Sequence, residues 1–569
     1  MRRLFTLLLS TFLCASIYAV PALRVRRPVQ LVDGSTIVVT LYGDEYYSWL
    51  LSDDGFVVEP TEAGDVYVKT TLTMEDAVAA GKKNIVHRAP RRIGSQASAP
   101  LPAKGIVRIP VILVNFTDSV FHVADTDEGI REYYNLFCNG TFDGQLYRGA
   151  GSYGSIRDYF VQQSDSLFFP EFTVFGPVTL SNPESTYAGD GTLFSREAVQ
   201  LATKEYSIDW SDFDNRNKNW VDMVFIIFAG CGSNTTGNKT NHVWPNERSI
   251  GKVTIDGTTI VNFVCSGCCS ENSYGNRNGV PAVKPDGIGV MCHELSHALG
   301  LPDFYDTNYK AFGMDLWSLM DYGCYASGGY CPGAYTAYER DFMGWRSLQE
   351  LTKPCDLTLL PMEKGGVGYK IVNEENPNEY YVIENRQRVG WDTGVGYYGK
   401  GMQVTHVDYD SGRWNNNNVN TDAKHQRMTI IAANNRYIGT CVDSATGDDL
   451  LKTWAGNLYP FESNDSLTAY STPAATVFTS SGFMNKDINA ICQLEDGSIT
   501  LYFGNDYGIW TKGDVNGDGA VDLTDAIMIV YYSLGNELEG FFKLAADMNG
   551  DGAIDLTDAI IVVYQSLNE

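Results

Sequence analysis

The chain has 569 residues, too many for one hydrophobic core and enough for three or four domains. Its formal net charge of −27 excludes the basic face that nucleic-acid binding needs and fits solubility outside the cell. The 34 Tyr, 10 Trp and 56 Gly favour strand-rich domains with many turns over a helical bundle.

Arg2 and Arg3 precede the short apolar run Leu4 to Ile17, and Ala19 is the expected cleavage point, so residues 1–19 read as an export signal. That run is too short to span a bilayer, and no later stretch reaches about 18 apolar residues. Release without a transmembrane anchor is therefore expected. Removing Cys14 with the signal leaves an odd number of the 12 cysteines, so at least one has no intrachain partner.

Residues 20–104 carry β-rich runs at Val29 to Val39 and Val57 to Thr70, with turns at Asp33-Gly34 and Asp54-Gly55. The stretch His87-Arg88-Ala89-Pro90-Arg91-Arg92 and the Ser/Ala/Pro-rich residues through Ala103 have linker composition. Together these read as a β-rich propeptide cut near Arg92, the alternative being an N-terminal domain that is never removed. A new core opens at Val107 to Phe116 and continues at Val221 to Phe228, with helical patterns at Ser155 to Gln163, Ser195 to Tyr206 and about 286–299. The alternation marks residues 105–348 as an α/β domain. Cys265, Cys268 and Cys269 form a tight cluster that reads as disulfides or thiols, because the nearest histidine, His242, is isolated. Cys324 and Cys331 bracket a Gly-rich loop and are candidates to bridge it. Residues 349–505 read as strand after strand, a β-sandwich-like domain. Residues 506–569 contain a repeat offset by 33 positions, Asp514 to Asp525 and Asp547 to Asp558.

The central signal is His293-Glu294-Leu295-Ser296-His297-Ala298-Leu299-Gly300-Leu301-Pro302-Asp303. Two histidines four apart share one helix face and can hold a zinc ion. Glu294 then stands at the metal's open position as general base and acid for peptide hydrolysis. Gly300 is expected to end the helix, letting the chain reverse so that Asp303 becomes the third ligand. Glu339 and Asp341, in Tyr335 to Asp341, are rivals for that place. Downstream, Trp317 to Gly323 resembles the methionine-containing turn beneath the zinc of metzincin peptidases. Met320 there is expected to pack under the metal and Tyr322 to steady an oxyanion. His242 and His406 read as structural.

With these motifs in hand, residues 107 to about 503 resemble the metallopeptidases of the immune inhibitor A (M6) family. The likeness rests on Gly151 to Phe160, Trp220 to Gly230, the zinc motif, Leu301 to Asp306, Tyr380 to Arg386, Gly390-Trp391-Asp392 and Thr405 to Asp408. It implies a zincin-like catalytic domain and secreted, zinc-dependent degradation of protein or peptide substrates, often from a zymogen. Metzincins carry His where this chain has Asp303, so the resemblance leaves the third ligand open.

In the C-terminal repeat, oxygen donors fall at loop positions 1, 3, 5, 7, 9 and 12. They are Asp514, Asn516, Asp518, the Ala520 carbonyl, Asp522 and Asp525, then Asp547, Asn549, Asp551, the Ala553 carbonyl, Asp555 and Asp558. Asp replaces the usual Glu at position 12, and an apolar helix follows each loop (Ala526 to Leu534, Ala559 to Leu567). The pattern resembles a dockerin, a small α-helical calcium module that binds cohesin domains of scaffold proteins. The expectation is thus a multidomain α+β zinc endopeptidase with Zn2+ and Ca2+. Its rival is an inactive, dockerin-bearing surface binding protein, against which the intact Glu294 argues.

Overall fold

The computed structural model describes residues 17–18, 20–24, 26–44, 47–61, 66–85, 99–140, 152–188, 191–236, 241–277, 280–439, 447–505, 512–536, 538 and 541–567. The Ala19 cleavage point and the linker His87 to Arg92 lie outside them. The whole is a mixed α/β chain with several sheets.

Five antiparallel strands (Arg26–Gln30, Thr36–Gly43, Ser48–Ser52, Phe56–Pro60 and Tyr67–Thr73) pair in sequence order near the N-terminus. Gly34 and Gly55, at φ of +84° and +87°, take the tight turns that Asp-Gly signals. A helix, Met74–Ile85, follows where only strands and linker were expected. Tyr42, Trp49, Leu51 and Ala77 form a small core together with Tyr305 and Tyr309, and Trp49 meets Tyr309 edge-on at 5.3 Å. This sheet therefore packs on the chain just beyond Asp303.

The next sheet is built around four parallel strands, in spatial order Thr258–Arg277, Val224–Cys231, Gly105–Asn115 and Phe168–Thr179. Asn246–Ile255 runs antiparallel beside the first, and Ile17–Tyr18 pairs antiparallel with its outer side. The continuous apolar runs follow from burial on both faces. Along the central strands, Val107, Ile109, Val111, Leu113, Phe225 and Ile227 enter one core, and Ile112, Val114, Phe116, Val224, Ile226 and Phe228 enter another. The first core takes Leu295, Ala298 and Leu299 of the motif helix, and the second takes Phe194, Ala198 and Ala202 of the helix Gly191–Tyr206. Residues 99–103 already belong to this body: Leu101 N donates to Ala298 O, and Arg216 holds the carbonyls of Ala99 and Pro100.

Beyond Trp345 lie a five-stranded sheet (Gln349–Glu350, Tyr369–Asn373, Asn376–Arg386, Gly401–Asp408, Met428–Ile430) and a three-stranded one (Cys355–Leu359, Ile499–Phe503, Ile488–Gln493). Period-two alternation buries both faces of Asn376–Arg386. Tyr380 and Val382 join the core of the motif helix, whereas Tyr381 and Ile383 pack with Leu359, Ile491 and Leu501 of the smaller sheet. The core of the motif helix therefore continues into this strand-rich part without a break. A helix, Gly447–Ala455, also stands where strands alone were expected.

At the C-terminus, helices Leu523–Ser533 and Leu556–Ser566 pack together over Val515, Ala526, Ile529, Ala559 and Val562. Each starts three residues earlier than its apolar run, because Asp522 and Asp555 cap the helices and form capping boxes with Asp525 and Asp558. Among the described residues, no helix is long and apolar enough to cross a membrane.

Candidate active site and metal centre

The motif helix spans Gly289–Ala298, every residue of it buried. A Cβ at Gly289 would come within 1.9 Å of Cys324 O, so glycine lets the helix press against the turn that carries Tyr322 to Gly329. Gly300, at φ +109°, reverses the chain as its composition requires. Asp303 thereby reaches the two histidines. Its Oδ1 lies 3.2 Å from His293 Nε2 and 3.2 Å from His297 Nε2, and the two Nε2 atoms are 3.0 Å apart. The edge of a tetrahedron with metal bonds of about 2.0–2.1 Å is about 3.3 Å, so the three atoms have the spacing of a zinc ligand face. Among the described residues, this is the one group of three or more His, Cys, Asp or Glu side chains close enough to hold an ion.

The surroundings fix each donor. His293 Nδ1 is 2.8 Å from Leu319 O and His297 Nδ1 is 2.8 Å from Leu301 O. Protons on the Nδ1 atoms donate to those carbonyls and leave the Nε2 lone pairs facing Asp303. Burial lowers the pKa of His293 against the opposing pull of Asp303, so the neutral, metal-binding imidazole is favoured. Burial alone would raise the Asp303 carboxyl, but the two facing imidazoles hold it below the usual range. Among the described residues, the buried Asp303 Oδ1 faces no polar partner but these two imidazoles, an arrangement that suits a cation between them.

Glu339 does not join them. Thr336 caps the helix Ala337–Phe342, and Glu339 closes the capping box by accepting from Thr336 N at 2.6 Å. Its other oxygen accepts from Ser318 Oγ at 2.6 Å, and Ser318 Oγ in turn accepts from Met320 N. Glu339 thus anchors the turn whose Leu319 carbonyl orients His293. Asp341 is exposed and accepts from Leu348 N. Met320 is fully buried in that turn, in the same core as the motif helix. Tyr322 opens the following turn, half-buried, its ring 5.2 Å from that of Tyr325.

Two partners escaped the sequence. Asn417, from the strand-rich part, donates through Nδ2 to Asp303 Oδ2 at 2.5 Å and accepts from Asp303 N at 2.6 Å. Its φ of +50° suits asparagine, and the run Asn415 to Asn418 marks a turn, but nothing in the spacing ties it to a residue 114 positions away. The other is Val20, fully buried, whose backbone N–H donates to Glu294 Oε1 at 2.9 Å. Pro21 O accepts from the Tyr325 hydroxyl, and Leu23 N donates to Asn234 O.

The remaining sequence candidates fall elsewhere. His242 pairs with Glu184 at 3.0 Å, and His406 with Glu379 at 2.9 Å. The Cys324–Cys331 bridge is not formed, and Cys331 Sγ instead contacts Trp391 O. In the C-terminal loops the carboxylates hold the loop's own amides. Asp514 accepts from Gly517, Asp518 and Gly519, and Asp525 from Val515, Asn516 and Asp522. In the second loop Asp547 accepts from Gly550 and Gly552, and Asp558 from Met548, Asn549 and Asp555. Asp518 and Asp551 accept from Ala520 N and Ala553 N, and Asn516 and Asn549 accept from Asp518 N and Asp551 N.

Residues 103–347 match the immune inhibitor A peptidase M6 catalytic domain, and residues 512–565 match the dockerin type I domain. Immune inhibitor A of Bacillus thuringiensis subsp. alesti is 25% identical over 276 residues, covering 41% of this chain and 39% of that protein. The pre-pro-metalloprotease PrtV of Vibrio cholerae is 26% identical over 225 residues, covering 33% of this chain and 23% of that protein. The chain thus matches both over less than two thirds of their own length. The chain is thus similar to the immune inhibitor A peptidase M6 catalytic domain over residues 103–347 and to the dockerin type I domain over residues 512–565.

Proposed function

We propose that this chain is a secreted zinc endopeptidase, made as a zymogen and attached to a partner through its dockerin-like module. The observation that carries the reading is the trio His293 Nε2, His297 Nε2 and Asp303 Oδ1, 3.0–3.2 Å from one another, the two histidines on the helix that bears Glu294 and Asp303 just beyond its end. A zinc ion there supplies Lewis acidity and lowers the pKa of a water molecule. Glu294 takes the proton of the attacking water and passes it to the leaving amide nitrogen. Tyr322 is assigned to the oxyanion. In this zincin-like arrangement Asn417 belongs to the site, so the β-sandwich-like part is needed for activity rather than being an appendage.

In this reading the chain from residue 20 to a cut within residues 86–98 acts as the propeptide, because residues 99–103 pack with the motif helix. Supporting it, Val20 N donates to Glu294, while Tyr325 and Asn234 hold Pro21 and Leu23 beside it. The N-terminal sheet also covers the chain beyond Asp303. The calcium loops Asp514–Asp525 and Asp547–Asp558 each end in a helix with an exposed apolar stripe: Leu523, Ile527, Tyr531 and Leu534 on one, Leu556, Ile560, Tyr564 and Leu567 on the other. Such paired stripes suit a cohesin-bearing scaffold. The test is casein hydrolysis by the processed chain with and without a zinc chelator, zinc being restored afterwards. Activity that survives complete metal removal defeats the proposal and leaves the binding-protein reading.

A further inference from the structure

Strands Val224–Cys231 and Thr258–Arg277 run parallel and pair Phe228 with Gly267. Two residues further along the second strand lies Cys269. On the first strand the residue paired with it is Cys231, three further along rather than two. A bulge at Ala229 and Gly230, the latter at φ +108°, takes up the extra residue. The strands approach closely there, since a Cβ on Gly267 would come within 2.8 Å of Gly232 N. The bulge thus moves Cys231 into register with Cys269 and places their Sγ atoms 3.0 Å apart, both buried. A disulfide needs about 2.05 Å between sulfurs, so a shift of about 1 Å closes the bond.

We propose that Cys231 and Cys269 form an intrachain disulfide in the exported chain. The nearby thiols are otherwise placed. Cys268 Sγ accepts from Gly230 N at 3.3 Å and also stands within hydrogen-bond reach of Cys269, its chain neighbour, whereas Cys231 faces Cys269 across the strands; Cys265 lies in the opposite core with its Sγ toward Trp244 O. The bond forms by two thiol–disulfide exchanges. One cysteine thiolate attacks the disulfide of an exported thiol oxidant and releases one oxidant thiolate. The second cysteine thiolate then attacks the mixed disulfide and releases the other. The two cysteines lose two protons and two electrons in all, and the oxidant disulfide is reduced to two thiols.

The bridge has a place in the architecture. Cys231 lies two residues before the one-turn helix Ser233–Thr236. Asn234 O in that turn accepts from Leu23 N, its Nδ2 contacts the Tyr325 hydroxyl, and Thr236 O accepts from Arg27. Fixing the strand end onto its neighbour steadies the wall that grips the N-terminal segment over Glu294.

This inference rests on the export reading, because the bond needs an oxidising compartment. The test is to unfold the chain recovered from culture medium in iodoacetamide without reductant, digest it, and map the peptides by mass spectrometry. The expected result is a peptide holding Cys231 joined to one holding Cys269, lighter by two hydrogens and separated by dithiothreitol. The Cys268→Ser variant is expected to keep the link, which assigns it to Cys269. Alkylation of Cys231, or a link from Cys231 to Cys268, overturns the proposal. A chain that never leaves the cytosol overturns the export reading instead. In that case the purified chain, unfolded and refolded with oxidised glutathione, must still acquire the Cys231–Cys269 link or the proposal fails.

Discussion

Replacing Asn417 with alanine is expected to weaken zinc binding by about 10- to 100-fold, the usual cost of removing an outer partner of a metal ligand. The structure supports that scale. Asn417 and Asp303 are each 2% exposed, and the asparagine makes two hydrogen bonds to the aspartate, one of them to its carboxylate. A hydrogen bond to a charged group contributes about 1.5–3 kcal/mol, and about 1.4 kcal/mol is a factor of ten in affinity. Losing the clasp therefore costs one to two powers of ten, even where water partly replaces the amide. Asn417→Asp is expected to do more damage, because it sets a second carboxylate against Asp303 Oδ2. The assay is competition for zinc between the processed enzyme and a fluorescent chelator, with circular dichroism to confirm that each variant is folded. A folded Asn417→Ala chain whose zinc affinity stays within about twofold of wild type would refute the reasoning.

Other outcomes follow from the same geometry. Asp303→Ala is expected to lose zinc while Glu339→Gln keeps it, and the reverse pattern in metal analysis would move the third ligand to Glu339. The uncut chain is expected to be inactive until cleaved within residues 86–98, since residues 99–103 already pack against the motif helix. Equal casein hydrolysis before and after the cut contradicts this. Asp514→Ala combined with Asp547→Ala is expected to abolish calcium binding and cohesin capture yet leave casein hydrolysis intact. Unchanged calcium calorimetry would remove the loop assignment. Glu384 offers a pH test: burial raises its pKa from 4.5 to about 7, against the opposing charge of Arg386. The folded chain then holds a proton between about pH 4.5 and 7 that the unfolded chain has released, so stability falls as pH rises through that window. Glu384→Gln should raise the thermal midpoint relative to wild type above pH 7, by an amount worth at most about 3 kcal/mol. That advantage should vanish below about pH 4.5, and a pH-independent difference would count against the assignment.

What was legible in the sequence was what local spacing dictates. The His293–His297 interval, Gly300 at the helix end and Asp303 beyond it lie within eleven residues, so helix geometry alone brings them together. The apolar runs at Val107 and Val221 announced buried strands because both faces of a parallel sheet are covered. The place of Glu339 was also legible locally: Thr336 and Glu339 have capping-box spacing, which commits that carboxylate to its own helix. Asn417 and Val20 were out of reach, since each meets the site through the tertiary fold, from 114 residues downstream and 274 residues upstream of its partner. The helix Met74–Ile85 was hidden by a preceding strand pattern, and the register of Cys231 with Cys269 depends on a bulge that no periodicity predicts.

The central claim, a zinc-dependent peptidase whose base is Glu294, is tested most directly by comparing the processed wild-type chain with Glu294→Gln for zinc content and casein hydrolysis in the same preparation. Equal zinc in both, with a rate at least about 100-fold lower in the variant, is the result expected of a lost general base. Near-wild-type hydrolysis by the zinc-loaded variant, or a wild-type chain that binds no zinc, would contradict it.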